Sequence, residues 1–106
     1  MYVRMVFLTF KEGNMDVFRN IYTKEVIPTV RAHKGSRFVH LLECRENENE
    51  GISLTAWDTK SDFETYLKSG DFERLNNEYT PMYAKEPVLK SYEVTASSEP
   101  LLLRIF

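Results

Sequence analysis

The sequence predicts a single α+β domain of order β-α-β-β-α-(α)-β, the ferredoxin-like arrangement in which helices cover one face of a four-stranded antiparallel sheet. Three observations lead there. Four apolar runs read as strands, at residues 2–10, 36–46, 52–57 and 88–95. Apolar residues recur at helical spacing after the first run and again after the third. A polar loop ending in glycine, Asn47–Gly51, joins the second and third runs as a hairpin.

The first run is apolar on both alternating sets: Val3, Met5 and Phe7 on one, Val6, Leu8 and Phe10 on the other. A half-exposed strand would alternate apolar with polar, so this strand is expected to be covered on both faces. Lys11-Glu12-Gly13 turns the chain. Asn14 is the expected N-cap of the first helix, with Asp16 well placed in its first turn. Phe18, Ile21, Tyr22 and Val26 make the stripe that faces the sheet. Pro28 has no backbone N–H and disfavours a helical Ile27, so a kink or break is expected before a last turn from Val30 to His33. Gly35 then stops the helix.

The third run ends on the only tryptophan, Trp57, and leads almost directly into the second helix. Ser61-Asp62-Phe63-Glu64 has capping-box form. Phe63, Tyr66 and Leu67 are its inner stripe, and Ser69-Gly70 ends it. Asp71 is expected to cap a short third helix carrying Phe72, Leu75 and Tyr79. Pro81 closes that helix, and a linker runs to Pro87. The domain proper spans 1–96. In the tail, 97–106, five of the last six residues are large and apolar. Leu101–Phe106 is therefore expected to dock on a partner subunit or a sheet edge.

Composition narrows the function classes. The 14 basic and 16 acidic residues are dispersed and leave a net charge of −2, which argues against nucleic acid as a partner. No apolar run approaches the ~18 residues of a membrane span. Met1–Val6 does not resemble a secretory leader. A single cysteine, Cys44, excludes an internal disulfide and fits a reducing compartment, so a cytoplasmic location is expected, with Cys44 as inert strand packing. His33 and His40 are too isolated to pair on a metal. No Ser-His-Asp or Cys-His set and no phosphate-cradling glycine loop is legible. Neither metal nor cofactor is expected. Because both faces of the sheet carry apolar residues and the helices cover one, a second copy packed face to face is the expected remedy.

Three stretches carry a family resemblance: Val6–Gly13, Pro28–Gly35 and Leu54–Ser69. Over roughly residues 2–95 the chain resembles the antibiotic-biosynthesis monooxygenase family of dimeric α+β barrels. The resemblance implies a homodimer joined through its sheet faces. It also implies a small-molecule cavity between each sheet and its helices. Some members of that family are similar to oxygenases that oxidise phenols or quinols without metal, haem or flavin, and others degrade haem. The haem-degrading pattern asks for Asn, Trp and His where this chain has Val6, Tyr66 and Asn76, so haem degradation is disfavoured.

Cofactor-free oxygenation of a small aromatic or quinol-type substrate calls for an apolar aromatic pocket with a few polar groups. Val6, Trp57, Phe63, Tyr66, Phe72, Tyr79 and Tyr83 are the candidate wall, with core packing as the plainer role for each ring. His40, in the strand set Phe38, His40, Leu42 and Cys44, is a candidate proton acceptor if that face meets the helices. Otherwise it belongs to the dimer interface. Asn76 shares a face with Phe72 and Tyr79 and is the candidate to orient a substrate hydroxyl or carbonyl. Otherwise it is an exposed or capping amide. His33 is read as favouring the helix dipole or as exposed. Arg4, in the set with Val6 and Leu8, is expected to pair with a carboxylate such as Glu43 or Glu93, or else to anchor an anionic substrate. The reading from another class is a non-catalytic small-molecule-binding or stress-associated dimer using the same cavity.

Overall fold

A computed structural model describes residues 1–99. The expected docking of Leu101–Phe106 lies outside the described residues. Strands β1 (Tyr2–Thr9), β2 (Ser36–Glu43), β3 (Glu50–Trp57) and β4 (Val88–Glu93) form one antiparallel sheet in the order β2-β3-β1-β4. Helices α1 (Asn14–Ile21), α2 (Ile27–Arg31), α3 (Lys60–Lys68) and α4 (Asp71–Tyr79) are the helical layer. Among the described residues no helix is long and apolar enough to cross a membrane. The α+β, ferredoxin-like class read from the element order is the one observed.

Register decides which residues meet the helices. Across β1 and β3, Tyr2 faces Trp57, Arg4 faces Thr55, Val6 faces Ser53 and Leu8 faces Gly51. Directly opposed residues share a face, and this set carries the main core. Val39 and Leu41 of β2, opposite Thr55 and Ser53, join it. The alternate residues form the open face. There Phe38, Leu42, Val88 and Tyr92 stay exposed, beside the smaller cluster of Met1, Val3 and Ala56.

The break expected at Pro28 does not occur. The helix runs on through a π segment, Tyr22–Val26, into α2, and Ile27 is itself helical at φ −57° and ψ −52°. The wider turn lies just before the proline, where the missing N–H and the ring would disturb the ladder. It also corrects a drift. Phe18, Tyr22, Val26 and Val30 are all buried. Each step of four overshoots a full α-helical turn by about 40°, so three in a row would swing the stripe off the sheet. A turn with more residues takes that rotation back.

Helix starts also differ from expectation. Gly13 and Gly70 hold the cap positions of α1 and α4, and Thr59 caps α3 by accepting from the Asp62 N–H at 3.1 Å. Asn14 and Asp71 fall inside the first turns, which frees their side chains. Asn14 Nδ2 donates to the Met82 carbonyl at 3.4 Å, and Asp71 meets His33.

Candidate functional site

Between sheet and helices lies a small cavity. Its floor is Arg4, Val6 and Leu8 of β1 with Ser53 and Thr55 of β3. Phe18, Tyr22, Val26 and Val30 wall it from the first helical stretch. Phe63 and Tyr66 come from α3, then Phe72, Leu75, Asn76 and Tyr79 from α4, and Tyr83 from the segment beyond. Its volume is about 50 Å3, small beside the ~300–1,000 Å3 of an ordinary ligand pocket. A wider recess of about 470 Å3 adjoins it, bounded by Phe72, Asn76, Thr80, Tyr83, Lys85, Glu86, Pro87 and Leu89. Phe72, Asn76 and Tyr83 border both spaces. The Tyr83 hydroxyl donates to Asn76 Oδ1 at 3.3 Å.

The lining is aromatic for a physical reason. Phe63, Tyr66 and Tyr79 sit on the inner stripes of α3 and α4, all 4% exposed or less, and so must face the sheet. Phe18 meets the Tyr79 ring edge-on at 5.2 Å between centroids. The polar groups among them are few. Tyr22 donates to the His40 carbonyl at 3.0 Å and lies 2.8 Å from Ser53 Oγ. A phenol has one hydrogen, so Ser53 donates to Tyr22. Burial raises the Tyr22 and Tyr83 hydroxyls to about 12. Burial also lifts Tyr66 and Tyr79 well above the ordinary phenol value, more than nearby carboxylates do. All four phenols are therefore neutral at physiological pH.

Arg4 does not form either expected pair. Glu43 is held by Arg19, and Glu93 lies 3.7 Å from the amino terminus. Arg4 Nη1 donates instead to Ser91 Oγ at 2.8 Å, and its guanidinium lies 5.2 Å from the centre of the Phe63 ring. Its Nε is buried and finds no acceptor among the described residues, and the same holds for the Tyr79 hydroxyl.

The structure brings Val6, Phe63, Tyr66, Phe72, Asn76, Tyr79 and Tyr83 to this one cavity. It does not bring His40 or Trp57 there. His40 opposes Leu54 on the open face, is exposed, and stacks on Phe38 at 5.6 Å. Trp57 is wholly buried behind the wall, stacked on Tyr66 at 5.0 Å, with its indole N–H donating to Thr55 Oγ1 at 3.0 Å. Its bulk fixes Tyr66 and does not reach the cavity lining. His33, read as a helix-end or exposed residue, is half-buried. Its Nε2 lies 2.8 Å from Asp71 Oδ2, and its ring meets Tyr66 at 4.9 Å, 73° between planes. Asp71 is held below the usual carboxylate range, chiefly by that hydrogen bond. Tyr22, Ser53 and Thr55 are cavity residues that pattern reading missed. The available signal was parity, since Ser53 and Thr55 alternate with apolar Ile52 and Leu54 on an otherwise apolar strand.

Sheet and helical layer define a small α+β domain of ferredoxin-like fold with an aromatic-lined cavity between its layers. The chain belongs to the antibiotic biosynthesis monooxygenase family, whose model matches residues 1–78. Solved structures share the fold at low identity. A protein of Deinococcus radiodurans that carries the antibiotic biosynthesis monooxygenase name provisionally matches with a TM-score of 0.80, 12% identity, and coverage of 93% of this chain and 97% of its own. A Bordetella bronchiseptica protein, provisionally named likewise, matches with a TM-score of 0.77 and 14% identity over 90% and 97% of the two chains. Rv0793 of Mycobacterium tuberculosis matches with a TM-score of 0.76 and 11% identity over 92% and 98%. At such identities the likeness is one of fold. Comparison with curated proteins gives no match.

Proposed function

We propose that the protein is a cofactor-independent monooxygenase acting on a small aromatic or quinol-type substrate in the cavity between sheet and helices. The observation that supports this reading is the aromatic-lined cavity with its few polar groups, taken together with the wider recess that shares Phe72, Asn76 and Tyr83 with it. A phenol with a free para position can supply every electron the reaction needs. Phenol and dioxygen give quinone and water; one oxygen atom enters the ring and the other leaves reduced. The residues' part is to hold the ring away from water, with Asn76 receiving or donating to a substrate oxygen. The lining offers no imidazole to a haem iron, since His33 is tied to Asp71 behind Tyr66 and His40 faces away. The working form is a homodimer through the open sheet face, supported by exposed Phe38, Leu42, Val88 and Tyr92 on that face.

A second reading, a non-catalytic small-molecule-binding dimer, is favoured by one observation. Among the described residues no carboxylate or histidine lines the cavity, and its phenols are all pushed upward, so none of those lining groups is a ready base at neutral pH. Oxygen uptake separates the two. The purified protein is incubated with a panel of phenols and hydroquinones beside a Phe72→Trp variant, which adds bulk where the two spaces share a lining residue. Uptake above buffer that the variant abolishes supports the oxygenase. Tight ligand binding with no uptake supports the binding protein.

A further inference from the structure

We infer that the inner cavity holds an anionic oxygen of its ligand on Arg4 and Tyr79, so that the ligand is an aromatic acid: a flat apolar body carrying one carboxylate or ionised phenol oxygen. This rests on reading the cavity as the ligand site, though not on any oxidation there.

Arg4 is a permanent cation on the cavity floor, and no described carboxylate neutralises it. Its neighbours are a serine hydroxyl and the face of Phe63, neither of which carries a full negative charge. Arg4 is part-buried and its Nη1 end is exposed, so the cost of an unmet donor falls on its buried Nε. The buried donors fit this account. Arg4 Nε–H and the Tyr79 O–H are both shut off from solvent, both lack an acceptor among the described residues, and both belong to residues lining the same cavity. Native proteins rarely leave such groups unmet, and a carboxylate or phenolate oxygen accepts from two donors at once. Size agrees. The inner space of about 50 Å3 suits a head group, while the recess of about 470 Å3 that shares Phe72, Asn76 and Tyr83 with it suits an aromatic body. The guanidinium geometry favours a planar oxyanion over a spherical halide.

The test compares anions with neutral counterparts of the same shape by isothermal titration calorimetry. One arm sets 1-naphthoate against 1-naphthamide. The other sets 4-nitrophenolate against 4-nitroanisole at mildly alkaline pH. Wild-type protein is expected to prefer at least one anion by about tenfold or more. Arg4→Gln should erase that preference while leaving the neutral ligand within about twofold. Tyr79→Phe should weaken anion binding severalfold yet raise the melting temperature of the free protein, because it removes an unmet buried hydroxyl. Which arm responds assigns the head group. Arg4→Met repeats the experiment if Arg4→Gln loses its circular dichroism. Equal affinity for anion and neutral partner overturns the inference, since water would then satisfy both donors. So does an Arg4→Gln loss that falls on both ligands alike, or no binding of any probe at millimolar concentration. A charge preference without oxygen uptake leaves this inference standing and removes the oxygenase. Uptake without charge preference does the reverse.

Discussion

Tyr83 and Asn76 are joined by a hydrogen bond from phenol to amide oxygen at 3.3 Å, and both residues line the inner cavity and the outer recess. Tyr83 comes from the stretch after α4, and its ring packs on Phe10 at 5.5 Å between centroids. The pair links the helical layer to the end of β1 where the two spaces share lining residues.

Tyr83→Phe should therefore loosen the border between the two spaces without removing its ring. The ring contact with Phe10 survives and one part-buried hydrogen bond is lost, worth about 1 kcal/mol. Stopped-flow quenching of Trp57 by a hydroquinone should show association severalfold faster than in wild type. An unchanged rate with a slower release would show that the bond does not gate entry.

Tyr22→Phe should cost more. Its hydroxyl serves both the His40 carbonyl and Ser53 Oγ from a site that is 2% exposed, so both partners lose a hydrogen bond. A loss of about 1–2 kcal/mol in urea unfolding is expected, with an unchanged m-value. A neutral result would mean that water replaces the phenol.

The His33–Asp71 contact has a defined pH dependence. Asp71 has its folded pKa below its unfolded value, so it binds fewer protons in the folded state. Its contribution is complete above the unfolded pKa of about 4 and fades as pH falls through the folded pKa. The stability gap between wild type and Asp71→Asn should be largest near neutrality, under about 1 kcal/mol for a part-exposed pair, and should close in acid. Thermal melts from neutral to strongly acid pH measure it. A gap that widens on acidification would contradict the assignment.

Gly35 cannot accept a side chain. Its φ is +84°, and a Cβ there would come within 2.2 Å of Asp62 Oδ2. Gly35→Ala should destabilise by about 1–2 kcal/mol from backbone strain, with the clash adding to it. Asp62→Ala in the same chain should relieve the contacts with the carboxylate but not the strain, and its own Cβ would still lie 2.7 Å away. Full recovery by the double variant would assign the whole effect to crowding.

Leu42→Lys tests the open sheet face. Leu42 is 44% exposed beside Phe38, which is 39% exposed. Sedimentation at micromolar concentration should give a dimer for wild type and a folded monomer for the variant. A wild-type monomer would remove the face-to-face dimer.

Element order, the helical stripes and most of the aromatic wall were legible because burial imposes period on sequence, except that Leu67, read into the inner stripe of α3, is 37% exposed at the stripe's edge. Three things were not. His40 was ambiguous because both alternating sets of β2 carry apolar residues, and only pairing with β3 shows that Val39 and Leu41, not Phe38 and His40, turn inward. Trp57 lies on the correct face, yet depth is not written in parity: Phe63 and Tyr66 pack directly on it and stand between the indole and the cavity. Arg4 was expected to meet Glu43 or Glu93, but register puts Arg4 opposite Thr55 and Ser91, while Glu43 opposes Gly51 and Glu93 opposes Tyr2. Charge complementarity in sequence carries no distance along a strand.

The π turn at Tyr22–Val26 has a consequence for divergence within the fold. A helix holding one surplus residue tolerates a codon deletion there that would shear an ordinary helix out of register. Tyr22 hangs from that turn and stands over Ser53, so a single-codon change would reshape the chamber's interior while the sheet beneath stayed as it was.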